Sequence, residues 1–381
     1  MTDRLRDEII DKIKKPIGNK PTFCIIGAGN GGLAMAGYLA VNGFSVNIWT
    51  RDIEKMDALA EVGGIEIEGK IEGFGELNKI NTDFQKSIED VDIIMVVIPA
   101  NGHREIGEKL VKYVKRGQTI VLNPGRTGGA LELFNTFRKE GKIREEITIA
   151  ETQTFLFVAR KLGVHKARIF DIKRSVPISA VRSYKNPELI KKLRIAFPQF
   201  TPTSDVFHTS LGNVAVMFHP AVTLLNTGWV ESNHGNFEYY LEGISPGVAK
   251  VLEHIDLERI KIAEALGIRI PSLKEWLYFS YGSTGEDLYE SVQSTLAYKG
   301  VMAPSTIHHR YILEDVPMSL VPMSSIGKKF GVETKCIDSL INIACCQHER
   351  DFWSEGRTVE HMGISKFDLK RIKKLIAGEV V

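Results

Sequence analysis

Short apolar runs alternate with longer segments of mixed polarity through the first half of the chain. Phe23–Ile26 is apolar and is bounded by proline and glycine, which predicts a buried strand. Residues 32–41 are small and apolar and predict a helix that stops at Gly43, and Ser45–Trp49 predicts a second strand. The order strand, helix, strand is typical of a parallel sheet that is covered by helices.

Later segments repeat this order. The segments 91–106 and 117–134 each begin with an apolar strand, and a helical pattern follows within the segment. Further apolar strands occur at residues 148–157 and 175–181. Strands that alternate with helices predict a parallel, doubly wound sheet, whose ligands bind at the carboxyl ends of the strands. The residues that would line this edge are Pro99, Ala100, Asn123, Arg126, Thr127 and Glu151. Turn chemistry is the alternative explanation for them, and it is the better one for Pro99, Pro124 and Gly125.

Gly27, Gly29 and Gly32 form a GxGxxG motif between the first predicted strand and the first predicted helix. In this position the first glycine permits a tight turn, the second lets the backbone approach a pyrophosphate, and the third lets the helix pack closely. The helix N-terminus then faces the phosphates with its partial positive charge. We therefore predict a dinucleotide-binding site that also includes Asn30 and Gly31. A glycine-rich turn without a ligand is the alternative.

The end of the second predicted strand bears on the choice between NAD and NADP. Proteins that bind NAD usually place Asp or Glu there, whereas proteins that bind NADP place small polar and basic groups near the 2′-phosphate. Thr50 stands where the acid is expected, and Arg51 follows it. This arrangement favours NADP over NAD. Asp52 is either the N-cap of the next helix or, in a shifted register, the ribose ligand.

The second half of the chain changes character near Asn186, after which strand patterns are scarce. Helical spacing occurs at residues 186–197, 212–231, 245–268, 285–298 and 328–353. The fold class is therefore α/β plus all-α. We predict an N-terminal helical extension at residues 1–20, a Rossmann dinucleotide-binding domain at residues 21–185 and a helical substrate domain at residues 186–381.

Composition narrows the class of protein. The 381-residue chain has 49 basic and 47 acidic residues and no long basic block, so nothing favours binding to nucleic acid. No apolar run approaches about 18 residues, so we expect no membrane span, and the charged N-terminus lacks the apolar segment of a secretory signal. The four cysteines show neither a CxxC pair nor metal-ligand spacing. We expect buried free thiols, no metal site and a cytoplasmic location.

The helical half contains candidates for acid–base chemistry and for anion binding. His219 shares a helical face with Thr223 and Asn226, a polar stripe that needs partners in an apolar segment. Arg310 can bind a carboxylate with two parallel hydrogen bonds, and Asp315 can hold an imidazole in one tautomer. Together with a nicotinamide, this set predicts a reductase for a keto acid or its imine. The structural alternatives are a satisfied core histidine for His219, and a local salt bridge in a domain interface for Arg310 and Asp315.

Longer collinear motifs resemble those of the octopine/nopaline (opine) dehydrogenases. The motifs are IIGAGNGGLAMAGYLA (25–40), LNPGRTGGALE (122–132), AETQTF (150–155), GNVAVMFHPAVTLLN (212–226), RYILEDVP (310–317) and DFWSEGRT (351–358). Members of this family join the amino group of an amino acid to a 2-oxo acid and reduce the imine with NADH or NADPH. The resemblance implies a Rossmann domain followed by a helical dehydrogenase domain, and an oxidoreductase that acts on the CH–NH group.

The resemblance also implies roles for single residues. His219 would be the catalytic acid/base with Asp315 as its partner, Arg310 would anchor the substrate carboxylate, and Glu151 would contact a basic amino acid. The candidate cofactor-binding residues are Gly27, Gly29, Asn30, Gly31, Gly32, Thr50, Arg51, Pro99, Ala100 and Asn123. The expected partners are the small-molecule substrates and a second copy of the chain in a homodimer.

Two other functions stay open at the level of sequence. A ketopantoate or glycerol-3-phosphate reductase shares the two-domain plan and reduces a carbonyl without an amino acid. Those enzymes usually rely on a lysine, whereas residues 212–222 offer His219 and no lysine. A non-catalytic nicotinamide-binding sensor would bind the cofactor without consuming it under any mixture of substrates.

Overall fold

The structure is a computed structural model that describes residues 20–143 and 146–379. The helix predicted for residues 1–20 therefore lies, apart from its last residue, outside the described residues. The strands are β1 Phe23–Ile26, β2 Val46–Trp49, β3 Gly64–Gly69, β4 Gly73–Glu76, β5 Lys79–Asn81, β6 Ile93–Val96, β7 Thr119–Leu122, β8 Thr148–Thr152, β9 Phe157–Lys161, β10 Lys166–Ile172, β11 Val176–Ala180 and β12 Phe200–Pro202. The two strands and the helix predicted around the glycine motif are confirmed.

The α-helices begin in the first half and dominate the second half. They are α1 Asn30–Val41, α2 Ile53–Val62, α3 Phe84–Ile88, α4 His103–Tyr113, α5 Gly129–Lys139, α6 Asn186–Leu193, α7 Val206–Leu211, α8 Ala215–Leu225, α9 Thr227–Asn233, α10 Pro246–Ala265, α11 Leu273–Tyr281, α12 Leu288–Gln293, α13 Arg310–Leu313, α14 Val321–Phe330, α15 Lys335–His348, α16 Phe352–Glu355 and α17 Leu369–Ala377. Short 3₁₀ helices span Ala100–Gly102, Ser183–Lys185 and Leu296–Tyr298, and a π-helix spans Val316–Leu320 between α13 and α14.

The larger sheet has the strand order β12-β11-β8-β7-β6-β1-β2-β5. Its neighbouring strands are parallel except β8 and β11, which pair antiparallel. The prediction of a parallel sheet is wrong at this one pairing, because the chain between β8 and β11 forms β9 and β10 and not a crossover helix. The direction in which strands are added reverses between β1 and β6, which is the point where doubly wound sheets bind ligands.

A smaller sheet, which the sequence analysis did not predict, has the order β4-β3-β10-β9. Ile65 and Ile67 of β3 are buried together with Ala167 and Ile169 of β10. This apolar face packs against α1, where a Cβ added at Gly37 would lie 2.5 Å from the Ile67 side chain. The helix that follows the glycine motif is therefore covered by a second sheet. This packing helps to fix the position of the helix N-terminus.

The chain divides into two compact units, and each is described by itself. The first contains the described residues of 20–125, 129–209 and 367–379, and it holds both sheets. The second, the helical unit, contains residues 126–128 and 210–366. The predicted boundary at residues 185 and 186 stays a prediction.

Two further expectations concerned the burial of the cysteines and the absence of a membrane-spanning helix. Cys24 is buried in β1, as predicted, but Cys336 and Cys345 are partly exposed and Cys346 is exposed. The expectation of buried thiols is therefore wrong for three of the four cysteines, which lie on or next to the solvent-facing side of α15. Among the helices that the structure describes, none is long and apolar enough to cross a membrane.

Candidate active site

The glycine motif forms the turn between β1 and α1, and its three glycines differ in their surroundings. Gly27 has a φ of +116°, and a Cβ there would lie 2.5 Å from the carbonyl oxygen of Val97. A Cβ at Gly32 would lie 1.8 Å from the carbonyl oxygen of Gly27. A Cβ at Gly29 would meet nothing within 4 Å. The first and third glycines are thus required by the turn itself, whereas Gly29 is exposed.

This turn fits a dinucleotide. Gly29 is the N-cap of α1 and provides no side-chain hydrogen bond, so the helix N-terminus presents its backbone N–H groups without a competing cap. Asn30 is exposed, and its side-chain oxygen accepts a hydrogen bond from the backbone of Lys161 at 3.1 Å. A Cβ at Gly31 would lie 2.9 Å from the ring of Phe155. Asn30 and Gly31 therefore fix the turn against the rest of the first unit.

Three consecutive polar residues follow β2. Thr50 is almost buried, and Arg51 has an exposed side chain whose Nη1 lies 3.4 Å from Oε2 of Glu105. Asp52 is the N-cap of α2, where its Oδ1 accepts a hydrogen bond from the backbone N–H of Lys55 at 3.2 Å. The structure thus assigns Asp52 to the capping role, the first of its two alternatives.

The other predicted cofactor contacts follow β6 and β7. Pro99 is exposed and caps the short 3₁₀ helix that begins with the buried Ala100. Asn123 is buried directly after β7, and its side-chain nitrogen donates to the carbonyl oxygen of Val121 at 2.9 Å. The carbonyl oxygen of the Asn123 side chain has no hydrogen-bond partner in the structure. Both segments lie at the carboxyl edge of the larger sheet, on the side of β1 that carries β6 and β7.

Glu151 has a structural environment. It is fully buried on β8; one carboxylate oxygen accepts from the backbone N–H of Ala130 at 2.8 Å, and the other accepts from the hydroxyl of Thr209 at 2.7 Å. A carboxylate at the start of α5 also complements the helix dipole. The structure gives Glu151 the role of a buried helix cap, and its contact with an amino acid substrate stays a prediction.

His219 and Asp315 meet inside the helical unit. His219 lies on α8, about one turn after its start, and Asp315 precedes the π-helix. The Nδ1 atom of His219 lies 2.8 Å from Oδ2 of Asp315, although 96 residues separate them in the chain. Asp315 is fully buried and the side chain of His219 is 15% exposed. The predicted pairing of the two residues is present, and the imidazole keeps its other nitrogen for a second partner.

Two tyrosines also contact His219, one through its ring and one through its hydroxyl group. The ring of Tyr311 stacks on that of His219 with centroids 3.9 Å apart and an interplanar angle of 15°. The hydroxyl of Tyr239 donates to the backbone carbonyl of His219 at 2.7 Å and lies 2.9 Å from the hydroxyl of Thr223. Asn226 donates to two backbone carbonyl groups. The polar stripe on α8 therefore has partners, as predicted, and only His219 carries a carboxylate partner from that stripe.

Opposing effects act on the pKa of His219. Burial lowers the pKa below its usual value, the hydrogen bond and the charge of Asp315 raise it, and the charges of Arg126 and Arg310 lower it further. The result is a lowered pKa. A lowered pKa favours the neutral imidazole, the form in which a ring nitrogen can accept a proton.

Arg310 pairs with Glu314 and not with Asp315. Its Nε and Nη2 atoms lie 3.0 and 2.9 Å from Oε2 of Glu314, which is buried, while the Arg310 side chain is 57% exposed. A local salt bridge of Arg310 is therefore present, but its partner is Glu314, because residues four apart share a helical face and residues five apart do not. Arg310 thus presents part of its guanidinium group to the outside of the helical unit.

Arg126, which was predicted only to line the sheet edge, completes this cluster. It is buried; its Nε donates to Oε1 of Glu314 at 3.1 Å, and its Nη1 lies 2.9 Å from Oδ1 of Asp315. Burial opposes the charged form, but the charges of Asp315 and Glu314 raise the pKa of Arg126 above its usual value. Glu314 was likewise missed, although its helical spacing from Arg310 was a usable signal.

Comparison with known proteins identifies the family. A family model for "NAD/NADP octopine/nopaline dehydrogenase, alpha-helical domain" matches residues 202–347, and one for the N-terminus of NAD-dependent glycerol-3-phosphate dehydrogenase matches residues 22–124. The opine dehydrogenase of Arthrobacter sp. (strain 1C) is 36% identical over 93% of this chain and 98% of its own length. The chain belongs to the opine dehydrogenase family. The predicted family is therefore confirmed.

Solved structures of related enzymes share the fold of this chain. Octopine dehydrogenase with NADH and L-arginine matches at a TM-score of 0.78 and 18% identity, over 95% of this chain and 99% of that one. Yersinopine dehydrogenase with NADP⁺ matches at a TM-score of 0.71 and 15% identity over the same shares. The predicted architecture, a Rossmann domain followed by a helical dehydrogenase domain, is confirmed.

Membership also settles the class of reaction. The protein is an NAD(P)-dependent oxidoreductase that acts on the CH–NH group, and its reaction is the reductive condensation of an amino acid with a 2-oxo acid. The likeness to glycerol-3-phosphate dehydrogenases in the family models is confined to residues 22–124, the nucleotide-binding part. The carbonyl-reductase and sensor alternatives are therefore set aside.

Proposed function

We propose that His219 and Asp315 form the acid–base pair of this reductive condensation and that Arg310 anchors the carboxylate of the 2-oxo acid. The observation that carries the proposal is the 2.8 Å contact between Nδ1 of His219 and Oδ2 of the fully buried Asp315. This contact fixes the imidazole tautomer and leaves Nε2 for exchange of a proton with the substrate.

The proposed acid–base pair accounts for the proton transfer in this reaction. The amine of the amino acid attacks the carbonyl carbon of the oxo acid, and protonated His219 donates its proton to the oxygen that leaves as water. Asp315 stabilises the imidazolium form that is needed for this donation. When bound, the reduced nicotinamide supplies the hydride that reduces the imine carbon. The water that leaves takes one proton from His219 and one from the amine nitrogen, so gain of that His219 proton and of one hydride, with loss of water, balances the conversion of an amine and a carbonyl into a secondary amine.

Arg310 suits the anchoring role because of where its charge lies. The buried Glu314 holds the Nε side of the guanidinium group, and more than half of the arginine side chain is exposed. A guanidinium group binds a carboxylate with two parallel hydrogen bonds, which fixes orientation as well as position. The 2-oxo acid would therefore arrive with its carboxylate on Arg310 and its carbonyl directed at His219.

We further propose that NADPH is preferred to NADH. Thr50 offers a small polar group at the end of β2, Arg51 offers an exposed positive charge, and Asp52 is engaged in capping α2. An acidic group that would bond the ribose hydroxyls is thus replaced by groups suited to a 2′-phosphate. The remaining predicted contacts extend this site along the carboxyl edge of the larger sheet, and cofactor binding belongs to the N-terminal domain.

The substrates are proposed by class. The octopine dehydrogenase structures hold L-arginine, agmatine or pyruvate, and we propose an amino acid and a short 2-oxo acid for this chain. Free cysteines without a disulfide partner suit the reducing cytoplasm, where we place the reaction. We also propose that the active form is a homodimer.

A matrix of substrates tests the proposed function. Absorbance of NADPH or NADH would be followed with pyruvate or 2-oxoglutarate and pools of amino acids, with His219→Ala in parallel. Consumption that requires both an oxo acid and an amino acid, and that is lost in His219→Ala without loss of nucleotide binding, supports the proposal. Consumption with the oxo acid alone, or full activity of His219→Ala, refutes it.

A further inference from the structure

The anchor and the acid–base pair are joined by one continuous chain of charges. In order, it runs from Arg310 to Glu314, to Arg126, to Asp315 and to His219. We propose that Glu314 and Arg126 are positioning residues: Glu314 fixes the direction of Arg310, and Arg126 holds Asp315 against His219. This proposal rests on the proposed function, since it takes its anchor and its acid–base pair from there.

The two oxygens of Glu314 are divided between two arginines. Oε1 accepts from Nε of Arg126 at 3.1 Å, and Oε2 lies 3.0 and 2.9 Å from Nε and Nη2 of Arg310. Contact with two nitrogens of one guanidinium group fixes the plane of that group as well as its distance. Without this contact the long Arg310 side chain, exposed over more than half its surface, would sample several rotamers.

Arg126 bridges two acids that are adjacent in the chain. Its Nε contacts Glu314 and its Nη1 contacts Asp315, so a single rigid guanidinium group sets the spacing of both carboxylates. All three side chains are at most 4% exposed, so water does not screen these contacts. Buried charges of this kind depend on one another, because removal of one partner leaves another without compensation.

The backbone of the Arg126 segment is also fixed. Arg126 has a φ of +59°, a left-handed conformation that is uncommon for a residue other than glycine. The next residue, Thr127, donates its N–H to the carbonyl oxygen of Met318 at 3.2 Å, and its own carbonyl accepts from the buried Arg357 at 2.8 Å. The Gly128 N–H donates to the Ser210 hydroxyl at 3.0 Å. A residue in an uncommon backbone conformation, followed by two residues that hydrogen bonds hold in place, is typical of a functional position.

Kinetic constants for each substrate test the positioning roles. We expect Glu314→Gln to raise the KM for pyruvate (or for 2-oxoglutarate, if that is the oxo acid used) about tenfold or more, because the anchor loses its fixed direction. The KM for the amino acid and the Kd for NADPH should change by less than about twofold, because neither depends on Arg310. Arg126→Lys keeps the charge but loses the fork, and should lower kcat more than it raises KM.

The matched control is Glu333→Gln. Glu333 forms an exposed ion pair with Lys335 at 2.9 Å in the same helical unit, so the same change of chemistry there should leave every constant unchanged. An unchanged KM for the oxo acid in Glu314→Gln would overturn the proposal. So would a fall in kcat together with a lower Tm but with unchanged KM and Kd values, since that pattern indicates only a loss of folded protein.

A second measurement does not need turnover. The pKa of His219 can be read from its imidazole NMR signals. This pKa should rise in Arg126→Gln, because that change removes a nearby cation. It should fall in Glu314→Gln, because that change removes the counter-ion of Arg126. If the wild-type protein consumes cofactor with no pair of substrates, the proposed function fails by itself. The positioning network then stands if the two shifts have opposite signs and falls if they do not.

Discussion

Asp315→Asn is the sharpest test of the acid–base pair, because it removes one charge and keeps the shape. The side chain is fully buried and its Oδ2 lies 2.8 Å from Nδ1 of His219. An amide can still accept a hydrogen bond through its oxygen, but it has no charge to stabilise an imidazolium. If it turns its nitrogen towards His219, it also forces the wrong tautomer.

The size of the loss follows from this contact. A hydrogen bond to a charged group contributes about 1.5–3 kcal/mol, which corresponds to a fall in kcat/KM of about 10- to 150-fold. The same change removes one of the two acids that compensate the buried Arg126. We therefore expect a lower Tm as well, so activity must be measured below the temperature at which the variant begins to unfold.

The pH profile gives a result that a folding defect does not produce. In the direction of opine oxidation the proposed role of His219 is that of a base, so kcat/KM should rise as pH increases through the pKa of the imidazole. Burial already lowers that pKa below its usual value, and Asp315 opposes the effect of burial. Loss of the Asp315 charge must lower the pKa further, and the rising limb must move to lower pH.

The assay is the pH dependence of kcat/KM with the opine product identified in the substrate matrix. Asp171→Asn is the control, since Asp171 is exposed on β10 and lies 3.9 Å from Lys70. A limb that moves to higher pH would refute the sign of the argument. A fall in kcat/KM of less than about threefold would refute the claim that Asp315 supports catalysis, because it is smaller than the least value of such a bond.

Other positions give independent outcomes. Arg51→Ala should weaken binding of NADPH and leave binding of NADH nearly unchanged, as measured by fluorescence titration, and equal effects on both would contradict a 2′-phosphate site. Gly29→Ala should fold normally but bind nucleotide less tightly, whereas Gly32→Ala should fail to fold, because its Cβ would lie 1.8 Å from the carbonyl oxygen of Gly27; circular dichroism and titration separate the two. Glu151→Gln should reduce the free energy of unfolding by about 1–3 kcal/mol with an unchanged KM for the amino acid, and a specific rise in that KM would restore its predicted substrate contact.

The nucleotide-binding turn could be predicted because its determinants are local. A short apolar run, three glycines at fixed spacing and a small-residue helix all lie within residues 23–41, and the observed β1 has the predicted bounds. The smaller sheet was missed for the opposite reason. Ile65 and Ile67 alternate with glutamates in a strand-like pattern, but their partner strand β10 lies about 100 residues later. Periodicity predicts a strand and cannot identify its neighbour.

His219 and Asp315 could be proposed as candidates from their residue types and spacing, but their pairing was implied only by the resemblance, because neither residue signals the other across 96 positions. The polar stripe favoured His219 over the other histidines, but it did not identify a partner for the imidazole. The folded chain adds the reason: α8 presents His219 to Asp315, and Tyr311 stacks on its other face. A local motif thus named the residues, and tertiary packing explains why those residues can act together.

The two acids at positions 314 and 315 show how one residue of spacing separates two roles. Consecutive residues of a helix point about 100° apart, so Glu314 shares a face with Arg310 while Asp315 turns towards His219. That division was predictable from helical geometry once RYILEDVP was taken as helical. The residue that rejoins them was not predictable, since Arg126 lies 188 residues before Glu314 in a glycine-rich turn. Helical geometry sends the two carboxylates to different partners, and only the fold brings in the one cation that fixes their positions relative to each other.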